Sequence, residues 1–209
     1  MMQEAGDRSI VHIVDDDDSL RSAIEGLCGS VGLRTRTYGS AQAFLAANSG
    51  ELAGCLVLDV RLPGINGLDF QAQLTELGIQ LPVVLITGYG DIQMSVRAMK
   101  AGAVDFLPKP FRDQDLLDAV TAALERDYRR RSADAGVDSI RDRFLTLSPR
   151  EQQVMMLVAA GNMNKQVAGE LGLSEITIKI HRAAAKRKMG ARTLADLVRM
   201  ADALTPKST

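Results

Sequence analysis

The chain lacks tryptophan and holds only two cysteines, two histidines, three tyrosines and five phenylalanines in 209 residues. Cys28 and Cys55 are widely spaced with no C-x-x-C pair, and with so few histidines beside them a zinc site is short of ligands. Both thiols read as small buried hydrophobes. Long apolar runs are missing as well: the longest, 154–160, falls far short of the roughly 18 residues that a membrane span needs. The first residues carry Glu4 and Asp7 where a secretory signal is basic, so the expected location is cytoplasmic, with no membrane partner. There is no G-x-x-x-x-G-K loop, which excludes that mode of ATP binding.

What is present suits a globular chain: 46% of residues are hydrophobic and 24% charged. Against about 150 residues per domain, the length favours two small domains over one large one. The net charge of −1 conceals an asymmetry. Residues 1–126 hold 17 acidic and 10 basic side chains, net −7, whereas residues 127–209 hold 9 and 15, net +6. Halves of opposite charge point to different partners, although solvated faces also drift in charge by chance.

Short apolar runs at 10–14, 35–38, 55–58, 83–87 and 104–107 alternate with helix-period segments at 19–31, 40–47, 67–77, 92–101 and 112–126. Most of the runs are too apolar to have a wet face, which is the pattern of buried parallel strands. Five strand-then-helix repeats joined right-handedly give a parallel sheet covered on both faces, a doubly wound α/β domain. Arg129, Arg130 and Arg131 then lead into a small, polar stretch where Gly136 either breaks a helix or weakens it. Beyond Leu147 no strand is plausible. Ser148, Pro149 and Glu151 form a helix start with a capping box, and helices are expected at 149–160, 165–171, 175–189 and 194–203.

Open parallel sheets place their sites at the carboxyl ends of strands. Here those ends carry Asp15 and Asp16, Asp59, Thr87 and Lys109. Carboxylates from two strand ends suit one hard divalent cation such as magnesium, and an aspartate beside it can attack a phosphoryl donor to form an acyl phosphate. Thr87 can donate to a phosphoryl oxygen while Lys109 supplies opposing charge. Singly, each residue reads equally well as a turn former, a cap or a solvated lysine. Their shared topological position carries the argument.

I-V-D-D-D at 13–17, L-V-L-D-V-R-L-P-G at 56–64, I-T-G at 86–88 and L-P-K-P-F at 107–111 resemble the receiver domains of two-component response regulators, over residues 9–126. The resemblance implies a flavodoxin-like (βα)5 fold with Asp59 as phosphoacceptor. It implies Mg2+ or Mn2+ held by Asp15, Asp16, Asp59 and the backbone carbonyl of Arg61. Thr87 and Lys109 match the switch hydroxyl and phosphate-contacting lysine, and Phe106 the aromatic that moves with Thr87. Asp18 is expected as a helix cap, and Lys109-Pro110 matches a peptide that is commonly cis in receivers. The stretch 90–106 looks most like the FixJ branch, in which Val96 and Lys100 lie on the dimer face.

In the basic half, a helix, a turn at Gly172, Leu173 and Ser174, and a second helix have helix-turn-helix spacing. Ile178, His181, Ala185 and Met189 share the inward face; Lys179, Ile180, Ala183, Lys186 and Arg187 point outward, with Arg182 on the flank. A cationic outward face suits the major groove, although Lys186, Arg187 and Lys188 also suit a solvated helix end favoured by the macrodipole. L-S-P-R-E at 147–151, G-N-M-N-K at 161–165 and L-S-E-I-T-I-K-I-H-R at 173–182 resemble the LuxR-type DNA-binding domain, an all-α, four-helix fold covering 145–204. The resemblance puts Lys179 and Ile180 at bases and Lys165, Thr177 and Arg182 at phosphates, with Lys186 on the same DNA-facing side. It also makes the last helix dimer-forming.

The expected organisation is a receiver at 9–126, a partly helical linker at 127–143 and a DNA-binding domain at 144–205. The expected protein is a response regulator that a sensor histidine kinase phosphorylates on Asp59, forming a homodimer on phosphorylation. It would bind promoter DNA, with RNA polymerase as a further partner, and would be no enzyme beyond its own dephosphorylation. One rival is a phosphatase or phosphotransferase with an aspartyl-phosphate intermediate; no D-x-D-x-T/V signature surrounds Asp59 and no substrate cap is inserted. The other makes the basic domain a protein-docking module, which DNA binding that weakens steeply with salt would exclude.

Overall fold

The computed structural model describes residues 9–48, 52–88 and 92–205; Glu4, Asp7, Gly90 and Asp91, used above, lie outside them. The elements run β1 (Ile10–Val14), α1 (Asp18–Ser30), β2 (Thr35–Tyr38), α2 (Ala41–Ala47), β3 (Gly54–Asp59), β4 (Arg61–Leu62), β5 (Ile65–Asn66), α3 (Gly67–Glu76), β6 (Val83–Thr87), α4 (Ile92–Lys100) and β7 (Asp105–Pro108). Then come α5 (Asp113–Leu145), α6 (Pro149–Ala159), α7 (Asn164–Leu171), α8 (Glu175–Met189) and α9 (Leu194–Leu204). The five long strands pair in parallel in the order β2-β1-β3-β6-β7, which is the flavodoxin-like order.

The central strands β3 and β6 are buried at every position, as their unbroken apolar runs require, while the edge strands β2 and β7 keep exposed residues. Alternation splits each central strand between two cores. Leu56 and Leu58 of β3 join Val83 and Leu85 of β6 beneath Phe44, Phe70 and Ala98, on the side of α2, α3 and α4. Cys55 and Val57 join Val84 and Ile86 beneath Ile24, Cys28, Leu116 and Val120, on the side of α1 and α5. Both cysteines are therefore buried and unbridged.

Two differences from the expected elements concern the ends of helices. The cap of α1 is Asp17, not Asp18: Asp17 accepts from the N–H groups of Ser19 and Leu20, while Asp18 is already helical and pairs with Arg21. Four consecutive aspartates leave composition unable to choose between them. The second difference is α5, which runs unbroken through Gly136 to Leu145. A solvated helix needs no breaker-free composition, and glycine there costs only about 1 kcal/mol against alanine. The chain divides into two compact units between Arg130 and Arg131, within α5.

In the first unit, Asp127 sits on the inner stripe of α5 with Leu116, Val120 and Ala123, yet it is a fully buried carboxylate. Its Oδ2 accepts from the Gly54 N–H at 2.8 Å, and Oδ1 accepts from Arg130 at 2.8 Å. The start of β3 is thereby tied to α5. Gly54 has φ +129°, and a Cβ there would lie 1.9 Å from the Ile10 carbonyl oxygen, so only glycine fits.

The second unit is all-α. Val154 and Val158 of α6 pack with Val167 of α7 and Ile178 of α8 in one core. Met155, Ala185, Met189, Leu197 and Ala201 form the other, with Ile140 and Phe144 at the end of α5 against it. Arg143 donates to the Met189 carbonyl at 3.1 Å, closing the C-terminus of α8. The capping box of α6 is present, and its Glu151 also accepts from Lys188 of α8 at 2.6 Å. Lys188 is thus committed to holding two helices together. Among the described residues no helix is long and apolar enough to cross a membrane.

His12 of β1 is buried beside Tyr38 and Phe44, with Nδ1 3.1 Å from the Tyr38 hydroxyl. Burial, with the charge of Arg36, lowers its pKa from 6.5 to about 4. Between those values the unfolded chain binds more protons than the native one, so this contribution is complete above 6.5 and lost as pH falls toward 4. His12→Gln is expected to remove about 2 kcal/mol of the acid-induced loss of stability at about pH 5 relative to neutral pH. Urea unfolding of both proteins at the two pH values checks it, and equal losses would place the sensitivity elsewhere. Separately, Asp127→Ala leaves the buried Gly54 N–H without its acceptor and removes one pairing of the half-buried Arg130, and should cost about 1–3 kcal/mol in urea unfolding.

Candidate functional site

The register of the sheet assembles the acidic residues. Val14 pairs with Leu58, so the next residue of each strand, Asp15 and Asp59, emerge side by side. Carboxylate oxygens of Asp15, Asp16 and Asp59 lie within 4.8 Å of one another. Thr87 pairs with Pro108, so Lys109 follows directly at the same end of the sheet, and the Lys109-Pro110 peptide after it is cis. Its Nζ donates to Asp15 Oδ2 at 2.7 Å and lies 3.1 Å from Asp59 Oδ2.

Backbone amides aim these carboxylates. The Asp17 N–H donates to Asp15 Oδ1 at 2.9 Å and the Arg61 N–H to Asp59 Oδ1 at 3.3 Å. Arg21 donates to the Asp15 carbonyl oxygen. Beyond Asp59 the chain forms the antiparallel ribbon of β4 and β5, too short to show in the sequence periodicity. Gly67 then closes against it: a Cβ there would lie 2.4 Å from the Asp59 carbonyl oxygen and 2.8 Å from Val60 Cα. Glycine at 67 is therefore what lets α3 begin so close to the acidic cluster.

Burial raises the pKa of Asp59 above the ordinary carboxylate value, and the Asp15 charge adds to this against the hydrogen bond from Lys109. For Lys109, burial acts to lower the pKa, and the hydrogen bonds and charges of Asp15 and Asp59 outweigh it, so the ammonium form is favoured. Three carboxylates against one ammonium leave negative charge in a partly buried place, and all the donors are hard oxygens. That set fits a magnesium-like cation.

Thr87 is buried at the end of β6, and its carbonyl accepts from the Lys109 N–H at 2.7 Å. Phe106 of β7 is half-buried and packs with Met94 against the core under α3 and α4. Val96 and Lys100 are exposed on α4, with Ile92 and Met99 exposed on the same helix. Asp127, Arg21 and Gly67 were missed as supports of this site; for Asp127 an acidic residue on an apolar helical stripe was the available signal.

In the second unit, Ser174 caps α8 by accepting from the Thr177 N–H, and the two hydroxyls lie 2.8 Å apart. Ile178, Ala185 and Met189 are buried, whereas Lys179, Ile180, Ala183 and Arg187 are exposed. His181 and Lys186 are half-buried. Arg182 is half-buried too and donates to Asn164 Oδ1 at 3.3 Å, which brings the first turn of α7 and its exposed Lys165 beside α8. The exposed Ile176 was not singled out from the sequence.

Comparison with known proteins agrees with this division. Residues 11–121 match the response regulator receiver domain and residues 145–201 the bacterial regulatory proteins of the luxR family. Nodulation protein W of Bradyrhizobium diazoefficiens is 57% identical over 201 residues, covering 96% of this chain and 88% of its own. Transcriptional regulatory protein FixJ of Rhizobium meliloti is 43% identical over 194 residues, covering 91% and 94%. Among solved structures, response regulator StyR is 46% identical with TM-score 0.81, covering 93% of this chain and 98% of that one. Full-length FixJ from B. japonicum is 38% identical with TM-score 0.57, covering 94% and 97%. The chain therefore belongs to the FixJ/NarL family of two-component response regulators, transcriptional regulators that join a receiver domain to a LuxR-type DNA-binding domain.

Proposed function

We propose that Asp59 accepts a phosphoryl group from a sensor histidine kinase and that this event controls binding of promoter DNA by the second domain. The observation that carries the reading is the Lys109 ammonium lying between the carboxylates of Asp15 and Asp59. An Asp59 oxygen attacks the phosphorus of a phosphohistidine, the P–N bond breaks with its electrons kept by the imidazole, and the imidazole takes up a proton. Asp15, Asp16, Asp59 and the Arg61 carbonyl would hold Mg2+ or Mn2+, which when bound offsets charge on the phosphoryl oxygens. Lys109 then contacts one phosphoryl oxygen and the Thr87 hydroxyl donates to another.

Drawing Thr87 toward the phosphoryl group frees room for the Phe106 ring to turn inward, which alters the surface of α4 and β7. Val96 and Lys100 on that surface form the contact of a homodimer. Pairing two receivers supplies two DNA-binding domains for two half-sites. Lys179 and Ile180 address base edges, while Lys165, Thr177, Arg182 and Lys186 serve the phosphates and their approach. RNA polymerase is a further partner, the place of action is the cytoplasm, and the boundaries are a receiver at 9–126, a linker at 127–143 and a DNA-binding domain at 144–205. The chain turns over no outside substrate.

Asp59→Asn should abolish labelling by acetyl phosphate in the presence of magnesium, because an amide is a poor nucleophile and a lost ligand. Mass spectrometry checks this, and stable phosphorylation of the variant at another residue would overturn the assignment. Val96→Asp should keep phosphorylation of Asp59 while preventing phosphate-driven dimers, since a charge in an apolar contact is costly. Sedimentation of the phosphorylated variant as a dimer would move the dimer contact to another face.

A further inference from the structure

Ile176 and Ile180 are 71% and 62% exposed. They stand one helical turn apart on α8, and the exposed Ala183 continues their line. The opposite face of the same helix already supplies Ile178, Ala185 and Met189 to the two cores of the unit. The outward ridge is therefore additional to folding, and a contiguous exposed apolar surface marks a contact.

Its surroundings select the kind of contact. Lys179 and Arg187 lie beside the ridge and Lys165 stands on the neighbouring helix, all exposed. A protein groove that covered the ridge would have to desolvate those cations. The major groove instead flanks its floor with phosphates and offers one apolar group on its base edges, the C5-methyl of thymine. Recognition helices touch base edges with their N-terminal residues, and Ile176 is the second residue of α8.

Resting on the reading of α8 as a DNA-recognition helix, we infer that Ile176 is a specificity-determining residue. With Ile180 it packs on thymine methyl groups, so that each half-site carries two T·A pairs. Four residues of helix rise about 6 Å, and successive bases of a strand are about 3.4 Å apart, so the two thymines lie about two base steps from each other. A polar residue at 176 would read a different base.

The test uses the full chain, phosphorylated with acetyl phosphate and magnesium, and a duplex selected from a random pool by the wild-type protein. Each thymine is then exchanged singly for deoxyuridine, which removes only the methyl group. Wild type should lose about fourfold in affinity at each of two positions, the worth of one buried methyl. Ile176→Ala should bind the unmodified duplex more weakly, ignore the exchange at one of those positions and keep the loss at the other. Its exposed position predicts an unchanged thermal midpoint, which separates this outcome from misfolding. If wild type binds the selected duplex but tolerates every exchange, the thymine assignment fails and the DNA reading stands. If no duplex is enriched and all DNA binds alike, both fail, and the ridge is a surface for another protein.

Discussion

The parallel pairing of β1 with β3 is the constraint on which the acidic site depends. Once Val14 faces Leu58 across the ladder, Asp15 and Asp59 have no choice but to leave the sheet next to each other. Two carboxylates at that spacing repel, and burial removes the water that would screen them. Lys109 relieves the repulsion from the other side, and it is available because β6 and β7 pair in a register that ends on Thr87 and Pro108. The position of Asp59 is thus specified by backbone hydrogen bonds, while the side chains around it only tune its charge. Asp59 nevertheless keeps a raised pKa, chiefly through burial, with the Asp15 charge adding to it.

The same sheet must tolerate helices on both faces while keeping its strand ends open. Gly67 solves one side of this problem by letting α3 start against the backbone of Asp59 and Val60. Asp127 solves the other by tying the opposite end of β3 to α5. β3 is therefore held at its start by the buried carboxylate of Asp127 and carries Asp59 at its end.

Sequence reading recovers what period and capping dictate. The central strand runs are legible because both faces are buried, and α8 is legible to the residue because Ser174 opens it and Gly190, at φ +71°, closes it. Asp15, Asp59, Thr87 and Lys109 are legible because strand ends are countable. Four things are not. The α1 cap hides among equivalent aspartates; β4 and β5 are too short to have a period; and the last turns of α5 carry charge and glycine that read as linker. Asp127 shows in the sequence only as an acidic residue on an apolar stripe, because its partner Gly54 is distant in the chain and only the fold makes the pairing visible.

The basic character of the second half must likewise be divided before it is assigned to any partner. Lys188 holds Glu151, Arg143 closes the C-terminus of α8, Arg199 pairs with Asp196, and Arg182 reaches Asn164. Each of these cations satisfies a group of its own domain. Lys165, Lys179 and Arg187 are exposed and show no ion pair with the described residues. Part of the surplus charge counted from the sequence therefore lies on α7 and the outward face of α8, beside Ile176 and Ile180, while the exposed Arg150 and Arg192 carry more of it elsewhere in the unit.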